Sequence, residues 1–136
     1  MGTASFCICV KFYWYNYLLC GMNVEEIRAY SIAKADVEEG FPFGEETLVF
    51  KVAGKIFLLV GLTNQPLQFN AKCDPERAIE LREQYDCILP GYHMNKKHWN
   101  TVIIDNTLSK KQLKDLIDHS YDLVKPKIKN RKQKPA

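Results

Sequence analysis

The stretch from Tyr92 to Ile104, YHMNKKHWNTVII, holds the densest group of residues that could do chemistry. Two histidines, two lysines, two asparagines and a tryptophan come directly before an apolar run that is typical of a β-strand. Histidines bind metals, lysines contact phosphates, and aromatic rings stack on nucleobases. The same residue types also hold turns and strand ends in place, so each functional interpretation has a structural one beside it.

A metal site or a catalytic centre has little support in this stretch. His93 and His98 have no carboxylate between them, so Cys87 and His119 would have to converge on them to complete a zinc site. A catalytic histidine needs a nucleophile or an orienting carboxylate, and neither that arrangement nor a phosphate-binding glycine loop is recognisable. We therefore predict no catalytic activity, no metal and no cofactor.

Nucleic-acid binding is the functional interpretation that these residue types favour. Lys96 and Lys97 are suited to phosphate contacts, and His98 or Trp99 to stacking on an exposed base. The lysines of a predicted hairpin, Lys51 and Lys55, would extend the surface. The candidate residues are one earlier lysine and six residues of the stretch, namely Lys72, His93, Asn95, Lys96, Lys97, His98 and Trp99.

A purely structural role for the same residues remains open. Trp99 is suited to closing the core against the last helix, and Asn95 is suited to a tight turn. Ser120 and Tyr121 would then pack beneath the stretch, with the Tyr121 hydroxyl offered to the loop. In this interpretation the lysines only project into solvent.

Charge is divided unevenly along the chain. The 136 residues carry a net charge of +3, yet residues 22–124 contain 12 Lys and Arg against 16 Asp and Glu, a formal charge of −4. From Lys125 onward there are six basic residues and no acidic one. A nucleic-acid-binding domain usually carries positive charge on its folded surface, so this body would have to concentrate its positive field locally.

The sequence divides into three segments. Residues 1–21 hold three of the five cysteines but lack the basic start of a signal peptide, and Met22 precedes a good helix start, so we predict an extension outside the native domain. Residues 22–124 form the domain, and residues 125–136 form a basic, disordered tail. The two cysteines of the domain show no metal or disulfide spacing. We expect a cytoplasmic monomer with no membrane contact.

Three helices are predicted from capping residues and apolar periodicity. Asn23, Asp74 and Ser109 are typical N-caps, the first helix should run to about Ala35, and Pro126 ends the last. The predicted apolar faces are Val24, Ile27 and Tyr30 in the first helix, Ala78, Leu81 and Tyr85 in the second, and Leu113, Leu116, Ile117, Ser120, Tyr121 and Val124 in the third.

Five strands are predicted between these helices. A period of two on both sides of a turn at Gly54-Lys55 indicates a hairpin, with Leu48, Phe50 and Val52 on one face and Ile56, Leu58, Val60 and Leu62 continuing it. The segment Glu39–Gly44 is predicted as turn-rich. The order α-β-β-β-α-β-β-α predicts a two-layer α+β fold, in which helices cover an antiparallel sheet. The predicted strands are Thr47–Ala53, Ile56–Leu62, Leu67–Ala71, Cys87–Leu89 and Trp99–Ile104.

Across residues 22–124 the sequence resembles the MmcQ/YjbR family. The resemblance implies a CyaY-like (frataxin-like) fold and a "double wing" DNA-binding domain, and hence DNA as a partner. The motifs that carry it are Phe41-Pro-Phe-Gly44, Gly54-Lys-Ile-Phe57, Lys72-Cys-Asp-Pro75, the run from Pro90 to Val102, and Ser120-Tyr121.

The acidic residues early in the domain allow three interpretations. Frataxins bind iron through an acidic ridge on the first helix, but here only two of the seven acidic residues fall on the predicted helix. A solvated acidic face is favoured, and the same face would also suit a protein partner. A protein-interaction or regulatory module acting through this face is therefore the alternative to DNA binding. The seven residues are Glu25, Glu26, Asp36, Glu38, Glu39, Glu45 and Glu46.

Overall fold

A computed structural model describes residues 22–91 and 94–127, which form a six-stranded antiparallel sheet with three helices. The predicted N-terminal extension and most of the basic tail lie outside these residues. In the described ranges no helix has both the length and the apolar character that a bilayer crossing requires. The predicted α+β class with an antiparallel sheet is confirmed.

The elements follow one another with one strand more than predicted. The helices are α1 (Val24–Ile32), α2 (Pro75–Gln84) and α3 (Lys110–Val124). The strands are β1 (Val37–Gly40), β2 (Thr47–Val52), β3 (Lys55–Gly61), β4 (Gln68–Lys72), β5 (Ile88–Pro90) and β6 (Trp99–Ile103). The chain order is α1-β1-β2-β3-β4-α2-β5-β6-α3.

The predicted helix starts are confirmed. In α1 the Asn23 side chain accepts a hydrogen bond from the Glu26 backbone N–H at 2.8 Å, and Glu26 accepts one from the Asn23 N–H in return. Ser109 forms the same reciprocal box at the start of α3. Helix α1 ends three residues before the predicted Ala35, because the chain reverses at Asp36, whose φ is +60°.

The additional strand β1 lies at one edge of the sheet, whose order is β1-β2-β3-β4-β6-β5. Val37 pairs with Val52 and Gly40 with Val49, so the turn-rich segment predicted to begin at Glu39 begins two residues later, at Phe41. Edge strands are held by hydrogen bonds to one neighbour and need little buried side-chain surface. The segment Val37-Glu-Glu-Gly40 therefore lacks the alternation by which strands are recognised.

The β2–β3 hairpin is confirmed, with two local differences. Its turn is centred on Ala53 (φ +53°) and Gly54 (φ +80°), one residue earlier than predicted, and two left-handed residues are the signature of a type I′ turn. The register also shifts between Phe50 and Lys51. This bulge buries both Phe57 and Leu58 and leaves Ile56 only part-buried.

The core lies on one face of the sheet, beneath all three helices. Ile27 of α1 and Leu113 and Ile117 of α3 are fully buried against the sheet, and α2 packs Leu81 beside them. Side chains alternate between faces along a strand, so the neighbours of the core residues Phe69 and Val102 point the other way. No described helix covers that second face, so the described domain has two layers. This second face includes Val49, Lys51, Leu59, Asn70, Lys72, Trp99 and Thr101, of which Val49, Leu59 and Thr101 are buried.

Candidate nucleic-acid interface

The loop before β6 is a tight turn organised by Asn95. Its side-chain oxygen accepts a hydrogen bond from the Lys97 backbone N–H at 2.9 Å, and its carbonyl accepts from the N–H groups of His98 and Trp99 at 3.2 and 3.0 Å. The predicted turn role of Asn95 is confirmed. Lys96 and Lys97 are exposed at the tip, His98 is half-exposed, and His93 lies outside the described residues.

Arg82 of α2, which the sequence analysis did not identify, holds this turn in place. The Arg82 Nε donates a hydrogen bond to the Asn100 side-chain oxygen at 2.7 Å. The Arg82 Nη2 donates to the Lys96 carbonyl and, at 3.3 Å, to the Trp99 carbonyl. One guanidinium therefore joins α2 to the loop and to β6, which holds the backbone from which Lys96 projects.

Further backbone contacts fasten the loop to both neighbouring strands. The Cys73 N–H donates to the His98 carbonyl at 2.7 Å, and the Gly91 N–H donates to the Trp99 carbonyl at 2.9 Å. A β-carbon at Gly91 would lie 2.8 Å from the Trp99 Cβ, so only glycine fits there without a shift of the chain. The ends of β5 and β6 thus approach each other as closely as the backbone permits.

The structure corrects the suggested role of Trp99 in closing the core. Trp99 pairs with Lys72, and both point away from the face that carries Val102 and Phe69. Trp99 therefore lies half-buried on the second face of the sheet, opposite the face that carries the core. A half-exposed indole beside a lysine is an arrangement suited to stacking on a base.

Ser120 and Tyr121 of α3 make different contacts from those that the sequence suggested. Ser120 is fully buried and links β3 to β4, since its hydroxyl donates to the Phe57 carbonyl and accepts from the Lys72 N–H at 2.9 Å. The hydroxyl of Tyr121 donates to the Ala35 carbonyl at 2.7 Å. The prediction that Tyr121 serves the Asn95 loop is therefore wrong.

The sheet topology brings the candidate lysines to one end. The β2–β3 turn, the last residue of β4 and the first residue of β6 lie at the same end, because Val52 pairs with Lys55 and Lys72 pairs with Trp99 across antiparallel neighbours. We call this region the turn end. Its lysines are Lys51, Lys55, Lys72, Lys96 and Lys97.

The last helix also finishes at the turn end. Ser120 contacts Phe57 and Lys72, and Tyr121 contacts Ala35 just before β1, so the end of α3 lies over the same side of the sheet. Lys125 and Lys127 follow directly and are exposed. The basic tail consequently leaves the domain where the five lysines of the turn end already are.

The lysines of the turn end are not used in ion pairs within residues 22–91 and 94–127. The pairs found there involve Lys34 with Asp118, Lys110 with Glu26, and Lys125 with Asp122. The one nearby carboxylate in register is Glu38, which faces Lys51 across β1 and β2. Most of the positive charge at the turn end is therefore available to an anionic partner.

Three of the seven early acidic residues are engaged within the domain, whereas Glu25, Asp36, Glu38 and Glu45 are exposed. Glu39 accepts hydrogen bonds from Arg28 at 2.7 and 2.5 Å, and this guanidinium lowers the pKa of the Glu39 carboxyl. Glu26 pairs with Lys110, and Glu46 accepts a hydrogen bond from the Thr63 hydroxyl at 3.3 Å. This internal pairing reduces the number of acidic residues that a protein partner could contact.

Comparison with known proteins identifies the family. The sequence model of the YjbR family matches residues 32–123, which is more than half of the chain. The chain belongs to the YjbR family. It is 43% identical to the uncharacterized protein YbdF of Escherichia coli O157:H7 over 98 residues, which cover 72% of this chain and 80% of YbdF. It is 32% identical to YjbR of Escherichia coli K12 over 100 residues, covering 74% and 85% of the two chains.

A solved structure supports the same assignment. The crystal structure of the Deinococcus radiodurans protein DR2400, with a DUF419 domain, matches with a TM-score of 0.76 and 38% identity. The match covers 86% of this chain and 88% of that one. Both Arg82 and the Asn95 turn fall inside the residues that the YjbR model matches.

Burial shifts the pKa values of two cysteines and one histidine in this YjbR-family domain. Burial raises the pKa of the Cys73 and Cys87 thiols, which stay protonated at neutral pH. Burial and then Arg77 lower the pKa of His119, whose Nε2 accepts a hydrogen bond from the Asp74 N–H at 3.2 Å. Among the described residues no three His, Cys, Asp or Glu side chains are grouped closely enough to hold a metal ion.

Proposed function

We propose that this YjbR-family protein is a non-catalytic DNA-binding module whose contact surface is the turn end. The observation that carries the proposal is the convergence of five lysines from β2, β3, β4 and the Asn95 loop, none of them in a described ion pair. Phosphate contacts supply most non-specific affinity for DNA. A body with a formal charge of −4 can bind a polyanion only if it concentrates positive charge in this way.

The spacing of these lysines supports the proposal. Neighbouring strands lie about 4.8 Å apart, so the distance from β2 to β6 across the turn end is about 14 Å. That span is comparable with the width of a DNA groove, about 12 Å for the major groove. Lysines spread over it can contact several phosphates at once. Trp99 adds an aromatic surface beside Lys72 for an unpaired base.

The finer features implied by the family resemblance belong to the same proposal. The β2–β3 hairpin, with Lys51 before its turn and Lys55 after it, supplies a wing at the edge of the binding surface. The proposal also includes that the fold is related to that of frataxins. Candidate residues Asn95 and His98 contribute by shaping the loop, through the backbone contacts that orient Lys96 and Lys97.

The proposal is tested by reversing charge at the turn end in the full chain. We expect Lys96→Glu/Lys97→Glu to weaken binding of a labelled duplex at least tenfold at about 50 mM salt, because two phosphate contacts become repulsive. The measurement is fluorescence anisotropy across a salt series. The same series should give the variant a shallower dependence of log Kd on log salt concentration.

The matched control reverses two lysines at the far end of α3. Lys111→Glu/Lys114→Glu makes the same change in net charge near the start of the helix, roughly 9 to 14 Å along its axis from Ser120, which contacts β4. We expect at most a small loss of affinity in this control. Equal losses in both variants, or no loss in either, would show that the turn end is not the contact surface.

A further inference from the structure

We propose that the basic C-terminal tail binds along the free edge of β1 in the same chain. Bound there, the tail is withheld from DNA, so the contact regulates the proposed DNA binding. Only this regulatory consequence rests on the proposed function. The contact itself is inferred from the position of the helix end, the open edge of the sheet and the charges of the two segments.

The tail leaves the domain beside the start of β1. The Tyr121 hydroxyl donates a hydrogen bond to the Ala35 carbonyl at 2.7 Å, two residues before Val37. The Lys125 N–H donates to the Tyr121 carbonyl at 2.8 Å, which places Lys125 one helical turn beyond that contact. The tail therefore begins close to the first residue of β1 and needs no linker to reach it.

The outer edge of β1 is free to accept another strand. β1 pairs only with β2 among the described strands, so its outward N–H and C=O groups lack a sheet partner there. A groove of about 260 Å³ lies on the adjoining sheet face over β1 and β2, lined in part by Glu38, Gly40, Phe41, Val49 and Lys51. No atom lies within 4 Å of the position of a Gly40 β-carbon, so this face of β1 is open above Gly40.

The charges of the two segments are complementary. Residues 128–136 contain Lys129, Arg131, Lys132 and Lys134 and no acidic residue. Asp36 and Glu38 are exposed at the start of β1 and take part in no described ion pair. Pairing the tail with these carboxylates would offset negative charge at the edge strand, where lone acidic side chains otherwise repel one another.

The length of the tail also fits. Nine extended residues span up to roughly 30 Å, whereas the four residues of β1 span about 13 Å. Since the tail starts at the Val37 end, it would run parallel to β1 and towards Gly40. A segment tethered this closely has an effective concentration in the millimolar range, so even a weak strand contact is populated.

Zero-length carbodiimide cross-linking of the full chain tests this contact without DNA. We expect amide links between the tail lysines and Asp36 or Glu38 at low salt, identified by peptide mass spectrometry, and their loss at about 0.5 M salt. A mixture of isotope-labelled and unlabelled chains separates links within one molecule from links between two. Absence of these links, or links only between light and heavy chains, would overturn the proposal.

The regulatory consequence is measured with isosteric variants. Asp36→Asn/Glu38→Gln removes both carboxylates, and asparagine keeps the left-handed backbone that Asp36 requires. Neither position can then react with carbodiimide, so affinity is the readout, and we expect the Kd for a duplex to fall at least threefold. Glu80→Gln/Glu83→Gln makes the same charge change on α2, beside the opposite sheet edge, and should leave the cross-links in place.

The two proposals fail in different ways. Intramolecular cross-links without any binding of DNA would retain the tail contact and reject the DNA-binding function. In the opposite case, the wild type and the Glu80→Gln/Glu83→Gln control would form no cross-links at β1, and DNA affinity would change equally in the two pairs of substitutions. That result would reject the tail contact and leave the proposed function of the turn end intact.

Discussion

Arg82 is the residue on which the geometry of the turn end depends most. Its guanidinium donates to one side-chain oxygen and two carbonyls, on Asn100, Lys96 and Trp99. A planar fork of donors serves such a set of acceptors better than an ammonium group would. The positions of the two exposed lysines, and thus the proposed phosphate contacts, follow from this one side chain.

We expect Arg82→Ala to destabilise the domain by about 2–4 kcal/mol, because it leaves the buried Asn100 oxygen without its donor and frees the Lys96 carbonyl. The free energy of unfolding is measured by urea denaturation. Arg28→Ala is the matched control, since it removes an exposed ion pair with Glu39 and should barely move the midpoint. Similar midpoint shifts in both variants would contradict the assigned role of Arg82.

At the level of single residues, the sequence predicted contacts between residues that are close together in the chain. Asn95 was recognisable because its side chain bonds its own loop two residues on. The role of Arg82 could not be recognised from the sequence, because its acceptors lie 14 to 18 residues further along the chain and no periodic pattern marks them. The hydroxyl of Tyr121 was misassigned for the same reason, since its acceptor on Ala35 is 86 residues away.

At the scale of elements, the pairing of β5 with β6 sets the position of the Asn95 loop relative to the sheet. Pro90 pairs with Asn100, and Gly91 continues opposite Trp99 with almost no space between the two backbones. Gly91 is therefore fixed opposite Trp99, the first residue of β6. This tight entry places the lysine-bearing tip beside the end of β4.

We expect Gly91→Ala to cost about 1–3 kcal/mol of stability, because the added methyl would meet the Trp99 backbone and force the strands apart. Thermal and urea unfolding measure the loss. Gly40→Ala is the control, as its added methyl meets nothing within 4 Å, and its stability should be unchanged or slightly higher. If the two alanine variants were equally stable, the close approach at Gly91 would be refuted.

Elements with strong periodicity were predicted well, and those defined by pairing were not. The apolar spacing of Leu113, Leu116 and Ile117 identified the buried face of α3. β1 escaped prediction because its place is set by hydrogen bonds to β2. The direction in which Trp99 points followed from the register of β6 with β4, which the sequence of β6 alone does not contain.

At the scale of the whole molecule, charge and topology act together. The three helices of the described domain lie on one face of the sheet, and the strand ends, the Asn95 loop and the end of α3 bring basic residues to one end. The net charge of the domain conceals this separation. The α+β class was predictable from element order, but the gathering of lysines from four segments required the sheet order β1-β2-β3-β4-β6-β5.

The most direct test of the central claim is a titration of the isotope-labelled full chain with a short duplex, followed by amide chemical-shift mapping. We predict shifts that concentrate at the turn end, in the amides of Gly54, Lys55, Lys72, Lys96 and Lys97, and that diminish as salt is raised. Shifts confined to residues beyond Lys127, or no shifts at all, would contradict the claim that the folded domain binds DNA.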